Sequence, residues 1–337
     1  MKLTLKDIAK QAGVSIPAVS QVLNNKPIRI TEAKRALIKK IAKDNHYMPN
    51  LAAKALVSNK TYTIGIIIPD INNPFFANLA KQIESQLRNL GYWLILVNSN
   101  EKFASEKELL PLLLNRGIDG LIFIMSNQAY AQETELKAML SDIDTPYVLV
   151  DRGLDQFDCN QIIFNNRLGG YLATKHLIAS GHQTIGIMMN FPANINCHYR
   201  YIGYQDALSE SGILLDKRWV VSTKFDIEDA YDKAEQLLSN PDITSIVAGN
   251  DMIALGIIRK ANELGKKIPE DISIIGYDNV FYTDLFKPSL TSIEQDVNAM
   301  ATQTIAVLFE TIADPTAKKF IQLSPRLVEK ASVKKLT

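Results

Sequence analysis

The sequence has few of the residues that redox or metal chemistry uses, and it has no long apolar segment. Its two cysteines, Cys159 and Cys197, lack CxxC spacing, which favours buried thiols over a disulfide or a metal site. No run of about 18 apolar residues occurs and residues 1–6 do not begin a signal peptide, so we expect a cytoplasmic protein. GxGxxG after the first predicted strand, P-loop, HExxH and GxSxG motifs are all absent. We therefore expect no cofactor, no metal and no enzyme activity.

Positive charge is concentrated at one end of the chain. Residues 1–60 contain 12 Lys and Arg against 3 Asp and Glu, whereas the other residues contain 25 against 33, and the whole chain has a net charge of +1. A nearly neutral protein therefore carries a cationic module, for which duplex DNA is the expected partner.

Within this module the pattern predicts a helix-turn-helix followed by a third helix from Thr31. Thr4 and Asp7 form a capping-box-like start, and Gly13 stands where a helix must end with a positive φ, so the first helix is expected to end at about Ala12.

The second predicted helix offers a surface that could read bases. Ser15 can cap it, Pro17 is tolerated in its first turn, and four side chains are expected to point outward: Ile16, Pro17, Ser20 and Gln21. Gln21 can pair with an adenine edge for about 1–3 kcal/mol of discrimination, and Ile16 and Pro17 can contact a thymine methyl. The residues better suited to phosphates are Asn24, Asn25, Lys26, Arg29 and Tyr47.

A short helix is predicted after Pro49, capped by Asn50 and too short to be stable alone. Ala52 and Ala53 would allow close approach of a second copy, and Leu56 could insert between base steps in the minor groove. The predicted DNA-contact set is completed by Thr4, Ser15, Asn50, Ala53, Lys54 and Leu56. The plainer alternative for the module is a three-helix bundle with a solvated basic surface.

Residues 5–15 (LKDIAKQAGVS), 19–24 (VSQVLN) and 49–56 resemble the lactose/galactose-repressor family, and the resemblance extends over essentially the whole chain. It implies a headpiece whose second helix enters the major groove, a hinge helix that pairs with its twin in the minor groove, and a sensor like a sugar-binding protein. The family often has Thr at the position of Ala18, and commonly has Arg where Gln21 and Lys54 stand. Operator preference therefore cannot be carried over.

From Thr61 onward the pattern is typical of an α/β fold. Short apolar runs alternate with amphipathic segments, at residues 64–68, 93–97, 120–125, 147–150, 185–189, 245–248 and 272–275. This predicts doubly wound parallel sheets in two lobes. Runs near 290–293 and 320–323 are expected to return the chain between the lobes. The predicted domains are a headpiece (1–48), a hinge (49–60) and an effector-binding and dimerisation domain (61–337), with one lobe at about 61–160 plus 294–325 and the other at about 161–293 plus 326–337.

Ligands of doubly wound sheets lie beyond the carboxyl ends of the strands, and polar and aromatic residues are found there. Ten residues form the candidate effector site: Asn73, Phe75, Phe76, Asp151, Arg152, Arg200, Phe225, Asn250, Asp278 and Gln295. Polar groups that both donate and accept suit vicinal hydroxyls, and Phe rings can cover the apolar faces of a sugar. Taken singly, these residues also have ordinary explanations, such as turn chemistry, helix core or a surface ion pair.

The same ten positions resemble the pocket of ribose-binding periplasmic proteins, which implies D-ribose as effector. Because Arg152 and Arg200 are offset by Asp151 and Asp278, a neutral sugar is favoured over a phosphorylated ligand.

The predicted protein is therefore a homodimeric repressor, most like a ribose operon repressor, that binds a pseudo-palindromic operator and responds to sugar through its hinge. One alternative is a catabolite-control regulator with a phosphorylated carrier protein or sugar phosphate as corepressor. Another is a sugar-binding transport protein, which would need an export signal and no helix-turn-helix.

Overall fold

The computed structural model describes residues 3–23, 27–47, 60–191 and 195–336. The chain forms two compact units, Met1–Thr61 and Tyr62–Thr337. The second unit contains two β-sheets, and each sheet with the helices packed on it is called a lobe below. None of the described helices is long and apolar enough to cross a membrane.

The first unit contains the three predicted helices of the headpiece: α1 (Leu5–Ala12), α2 (Ile16–Leu23) and α3 (Glu32–Asp44). Thr4 forms the expected capping box, because its Oγ accepts from the Asp7 amide and the Asp7 carboxylate accepts from the Thr4 amide. The first helix ends at Ala12 and Gly13 has φ +63°, so both of these predictions are confirmed. Lys34 on α3 donates to the carbonyl of Ala12 at 2.7 Å, which closes the same helix end.

The headpiece core joins all three helices through fully buried Ile8, Val19, Val22 and Ile38. Because these side chains occupy the inward faces, the predicted base-reading residues of α2 lie on the outer face. The predicted hinge helix after Pro49 lies outside the described residues.

The second unit has the predicted α/β architecture of parallel sheets. In chain order its strands are β1 (Thr63–Ile68), β2 (Trp93–Asn98), β3 (Gly120–Phe123), β4 (Tyr147–Val150), β5 (Gln161–Phe164), β6 (Ile185–Met189), β7 (Val220–Ser222), β8 (Ser245–Ala248), β9 (Ser273–Asp278), β10 (Thr291–Glu294), β11 (Phe320–Leu323) and β12 (Arg326–Val328). The first lobe has the order β11-β5-β4-β3-β1-β2 and the second β12-β10-β9-β8-β6-β7. Every neighbouring pair is parallel except β10 with β12.

Helices cover both faces of each sheet. In chain order they are α4 (Pro74–Asn89), α5 (Phe103–Leu114), α6 (Asn127–Tyr130), α7 (Glu133–Ser141), α8 (Asn166–Ala179), α9 (Ile195–Glu210), α10 (Ile227–Leu238), α11 (Asp251–Glu263) and α12 (Val297–Ala313). Each sheet therefore has a separate apolar cluster on each face, which explains why its strands are apolar on both sides.

The predicted lobe boundary at residue 160 needs a correction. Gln161–Phe164 forms β5 of the first sheet, where it pairs with both β4 and β11. Ile162 and Phe164 are buried in the core of the first lobe, so the chain crosses to the second lobe only after Phe164. The sequence reasoning also missed the short strands β7 and β12, whose three residues are too few to show a pattern.

Two glycines allow α8 and α9 to pack closely. A Cβ added at Gly203 would lie 1.9 Å from the Arg167 carbonyl oxygen, and one at Gly170 would lie 2.0 Å from the Arg200 carbonyl oxygen. The position of α9 matters because this helix carries Arg200.

We predict that Gly203→Ala destabilises the second unit by about 1–3 kcal/mol or more, because the added methyl group meets rigid backbone. The measurement is the denaturant midpoint followed by far-UV circular dichroism. Ser209→Ala, on the exposed side of the same helix, should change stability by less than about 0.5 kcal/mol. Equal midpoints for the two variants would contradict this account of the helix contact.

Candidate effector site

One narrow cavity between the two lobes is lined by all ten residues of the candidate effector site. The lining residues are Asn73, Phe75, Phe76, Asp151, Arg152, Arg200, Phe225, Asn250, Asp278 and Gln295, together with Asn196. The free volume between them is about 20 Å³, roughly the space that one water molecule needs. A larger ligand therefore requires the lobes or the lining side chains to move.

Strand ends and helix starts explain why these residues meet. Asp151 and Arg152 directly follow β4, Gln295 follows β10, and Asp278 is the last residue of β9. Asn73 and Asn250 are the N-caps of α4 and α11, and their side-chain oxygens accept from the amides of residues 75 and 253. Since the cap uses the oxygen of each amide, its NH₂ group is the part suited to donate to a ligand.

The guanidinium of Arg152 is buried and held from several sides. It donates to the carbonyl oxygen of Met125 at 2.6 Å and to both carboxylate oxygens of Glu101 at 2.7 and 3.0 Å. It also lies 5.2 Å from the centroid of the Phe76 ring. The partner of this arginine is therefore Glu101, and the Asp-Arg sequence at 151–152 is not a surface ion pair.

Arg200 is fixed within the second lobe. Its Nε donates to Asn166 Oδ1 and its Nη1 to the carbonyl oxygen of Gly249, both at 2.7 Å. The guanidinium lies 3.6 Å from the centroid of the Tyr277 ring, a cation–π contact. Arg200 is thus preorganised before any ligand binds.

Two buried acceptors in the cavity have no hydrogen-bond partner among the described residues. They are Oδ1 of Asp151 and Oε1 of Gln295, whereas Gln295 Nε2 donates to Asp278 Oδ1 at 2.8 Å. Burial raises the pKa of Asp151 to about 6 and that of Asp278 well above its usual value. Because an unpaired buried acceptor is costly, the cavity favours a ligand that donates at both points.

Both cavity aspartates have left-handed backbones, with φ +63° at Asp151 and +97° at Asp278. Such conformations are costly for residues other than glycine and are often found where function needs a particular side-chain direction. Here they occur at the ends of β4 and β9, where the carboxylates border the cavity.

The first turn of α9 bridges the two lobes. Asn196 Nδ2 donates to the carbonyl oxygen of Asp151 at 3.2 Å and to its Oδ2 at 3.4 Å. One turn later, the Tyr199 hydroxyl donates to Asp155 Oδ2 at 3.1 Å. The second of these contacts lies outside the narrow cavity.

Sequence reasoning missed Glu101 and Asn196. Glu101 follows β2 by three residues, so the strand-end rule applied to that strand would have marked it as a candidate. Asn196 stands in the first turn of a helix with no apolar run to mark it, and no comparable signal points to it.

The candidate DNA-contact residues of the headpiece are only partly described. Ile16 is 44% exposed, Pro17, Gln21 and Arg29 are exposed, and Ser20 is half-buried. Thr4 and Ser15 act as helix caps, and the half-buried Tyr47 packs against the headpiece core. The remaining predicted contacts lie outside the described residues: Asn24, Asn25, Lys26, Asn50, Ala53, Lys54 and Leu56.

We predict that Tyr199→Phe speeds hydrogen exchange of the backbone amides at residues 152–155. The variant removes only a hydroxyl that bridges the lobes, a bond worth about 0.5–1.5 kcal/mol, so the expected acceleration is roughly 2–10-fold. Tyr171→Phe is the matched control, because the Tyr171 hydroxyl donates to Glu210 within the second lobe. Equal exchange in both variants would show that the Tyr199 contact does not hold the lobes.

Two family models match most of the chain. Residues 4–50 match "Bacterial regulatory proteins, lacI family", and residues 61–321 match "Periplasmic binding proteins and sugar binding domain of LacI family". A curated relative, the HTH-type transcriptional repressor PurR of Photobacterium profundum, is 34% identical over 99% of both chains.

Solved structures give the same result. A LacI family transcriptional regulator from Enterococcus faecalis V583 with bound ribose is 33% identical, with a TM-score of 0.71 over 82% of this chain and 100% of that one. The Lac repressor dimer bound to operator is 24% identical with a TM-score of 0.87 over 99% and 100%, which supports the fold. The curated relatives are repressors, in agreement with the expectation that this chain is not an enzyme. The chain therefore belongs to the lacI family of bacterial regulatory proteins, as a ligand-responsive, DNA-binding transcriptional repressor.

Proposed function

We propose that this repressor responds to D-ribose and controls genes of ribose uptake and catabolism. In this proposal it acts in the cytoplasm as a homodimer on a pseudo-palindromic operator, and the ten residues of the candidate effector site, with Asn196, bind the sugar.

The observation that carries the proposal is the pair of unpartnered buried acceptors, Asp151 Oδ1 and Gln295 Oε1. Hydroxyl groups of a sugar donate hydrogen bonds, so a polyol can satisfy both atoms at once. The amide groups of Asn73 and Asn250 can donate to the sugar oxygens in return. The rings of Phe75, Phe76 and Phe225 line the same cavity and suit the apolar faces of a sugar.

The charges of the site favour a neutral ligand. Arg152 is paired with Glu101, and Arg200 interacts favourably with the carboxylates of Asp278 and Asp151. A phosphate group brings about two negative charges, and neither arginine is left unpaired to balance them. Its oxygens mainly accept hydrogen bonds, so they cannot donate to the two unpartnered acceptors of the cavity.

The relatives support more than one effector. The Enterococcus regulators with bound ribose are 32% and 33% identical, and PurR repressors reach 35%. The unpartnered acceptors of the cavity are the observation that supports a sugar such as ribose in this proposal. A catabolite-control regulator is the alternative within the family, since CcpA of Lactococcus lactis is 27% identical. A transport protein would not need the cationic headpiece.

On the DNA side, we assign base reading to Ile16, Pro17, Ser20 and Gln21 of α2. Phosphate contacts are assigned to Asn24, Asn25, Lys26, Arg29 and Tyr47. The segment 49–60 is the proposed coupling element, with Asn50, Ala53, Lys54 and Leu56 at the minor groove. A coupling free energy of about 1–3 kcal/mol between sugar and operator is sufficient for regulation.

The test is calorimetric titration of the full-length protein with D-ribose, galactose, fructose, ribose 5-phosphate and hypoxanthine. We expect saturable binding of D-ribose, and a loss of at least about tenfold in affinity for Asp151→Asn, because an amide NH₂ replaces a carboxylate acceptor. Asp158→Asn changes the same charge at an exposed position and should bind like the wild type.

The purine base is included because relatives of similar identity are named PurR. Binding of hypoxanthine or ribose 5-phosphate in preference to D-ribose would contradict the ribose assignment. No heat with any free ligand would also overturn it and would favour a protein corepressor.

A further inference from the structure

We propose that Glu101 sets the ligand specificity of the cavity through Arg152, so that the site accepts a neutral polyol and rejects a phosphorylated one. The inference rests on the proposed sugar-binding function of that cavity. Glu101 does not line the cavity itself, so it is a positioning residue that acts through the guanidinium it holds.

The ion pair between these residues is built rigidly. The side chain of Arg152 is only 3% exposed, and that of Glu101 is 30% exposed. The Glu101 carboxylate also accepts from the amide of Asn127 at 2.6 Å. Arg152 in turn donates to the carbonyl oxygen of Met125. Each side chain of the pair is therefore held in position by a backbone group as well as by the other side chain.

The backbone of Glu101 is specialised for this contact. Asn100 and Glu101 have consecutive left-handed conformations, with φ +54° and +57°, and the Glu101 amide donates to the carbonyl of Pro69 at 2.7 Å. Two such residues in a row are unfavourable unless the fold requires them. The turn after β2 therefore directs a carboxylate toward Arg152 at a cost to the backbone.

The pair limits which donors Arg152 can offer. A guanidinium has five N–H donors, and those of Nη1 and one of Nη2 are used by Met125 and Glu101. The Nε donor and one Nη2 donor remain on the free edge of the guanidinium, where they can donate to two hydroxyl oxygens, and Glu101 already balances the charge that would attract a phosphate. Glu101 thus fixes the direction of the guanidinium and balances its positive charge.

Removal of the Glu101 carboxylate charge would change the net charge around the cavity. Arg152 and Arg200 would then face Asp151 and Asp278, whose raised pKa values leave them less fully ionised than exposed aspartates. The surroundings of the cavity would become more positive by one unit charge, and an anionic ligand would become more favourable there.

The test compares the affinities of Glu101→Gln and wild type for D-ribose and for ribose 5-phosphate. We expect the ratio of the two affinities to shift by at least about 30-fold toward the phosphate, with weaker ribose binding and stronger phosphate binding. Glu135→Gln is the matched control, because Glu135 pairs with Lys107 on the exposed surface and its loss changes the net charge equally. Glu101→Asp, which keeps the charge, should retain most of the wild-type ratio.

In Glu101→Gln the buried Arg152 is left without its partner, and the variant could fail to fold for that reason. A second comparison, made in an Arg152→Met background, keeps the test decisive in that case. Arg152→Met and the double variant Glu101→Gln/Arg152→Met should then have equal affinity ratios, because Glu101 acts only through Arg152. A ratio in Glu101→Gln that matches Glu135→Gln would overturn the proposal. So would a further shift caused by Glu101→Gln in the Arg152→Met background.

Failure of the two proposals can be told apart. If the wild type does not bind D-ribose, the sugar assignment fails, whereas a gain of phosphate binding in Glu101→Gln would still support the role of Glu101. If the wild type binds D-ribose and Glu101→Gln has the wild-type ratio, only the role of Glu101 is wrong.

Discussion

The sensor depends on burying two guanidinium groups between its lobes without leaving either one unpaired. An isolated buried charge is very costly, and breaking a buried pair typically costs about 3–5 kcal/mol. Arg152 is balanced by Glu101, and Arg200 by hydrogen bonds to Asn166 and Gly249 and by the face of Tyr277. The surrounding residues are constrained by this requirement, including the left-handed backbones of Asp151 and Glu101.

Parallel sheets make such a site possible. They bring the carboxyl ends of many strands to one edge of the sheet. The strands themselves are buried and apolar, so the polar side chains that can bind a ligand lie on the short loops at that edge. The second lobe adds the first turns of α9 and α11, so that a ligand would contact both lobes at once. A ligand bound there would therefore favour one arrangement of the two lobes, which is what a ligand-responsive regulator requires.

Much of this arrangement could be predicted from the sequence, because apolar runs and strand ends are local signals. The seven apolar runs all correspond to strands, and all ten candidate effector residues line one cavity. The strand β5 was missed because its pairing with β11 joins segments about 160 residues apart, and no local pattern shows such a contact. The role of Glu101 was missed because Glu101 follows β2 and Arg152 follows β4, and these two strands are not neighbours in the sheet. Only the folded structure shows that the two side chains meet.

Membership of the lacI family establishes repression and DNA binding, whereas the proposed effector rests on a few side chains at the cavity. The central claim is that sugar and operator share one coupling free energy. Its most direct test measures operator affinity by fluorescence anisotropy with and without saturating D-ribose, and D-ribose affinity with and without operator. The account predicts that both affinities change by the same factor, about 5–150-fold. Saturation of the sensor by D-ribose with no change in operator affinity would contradict it.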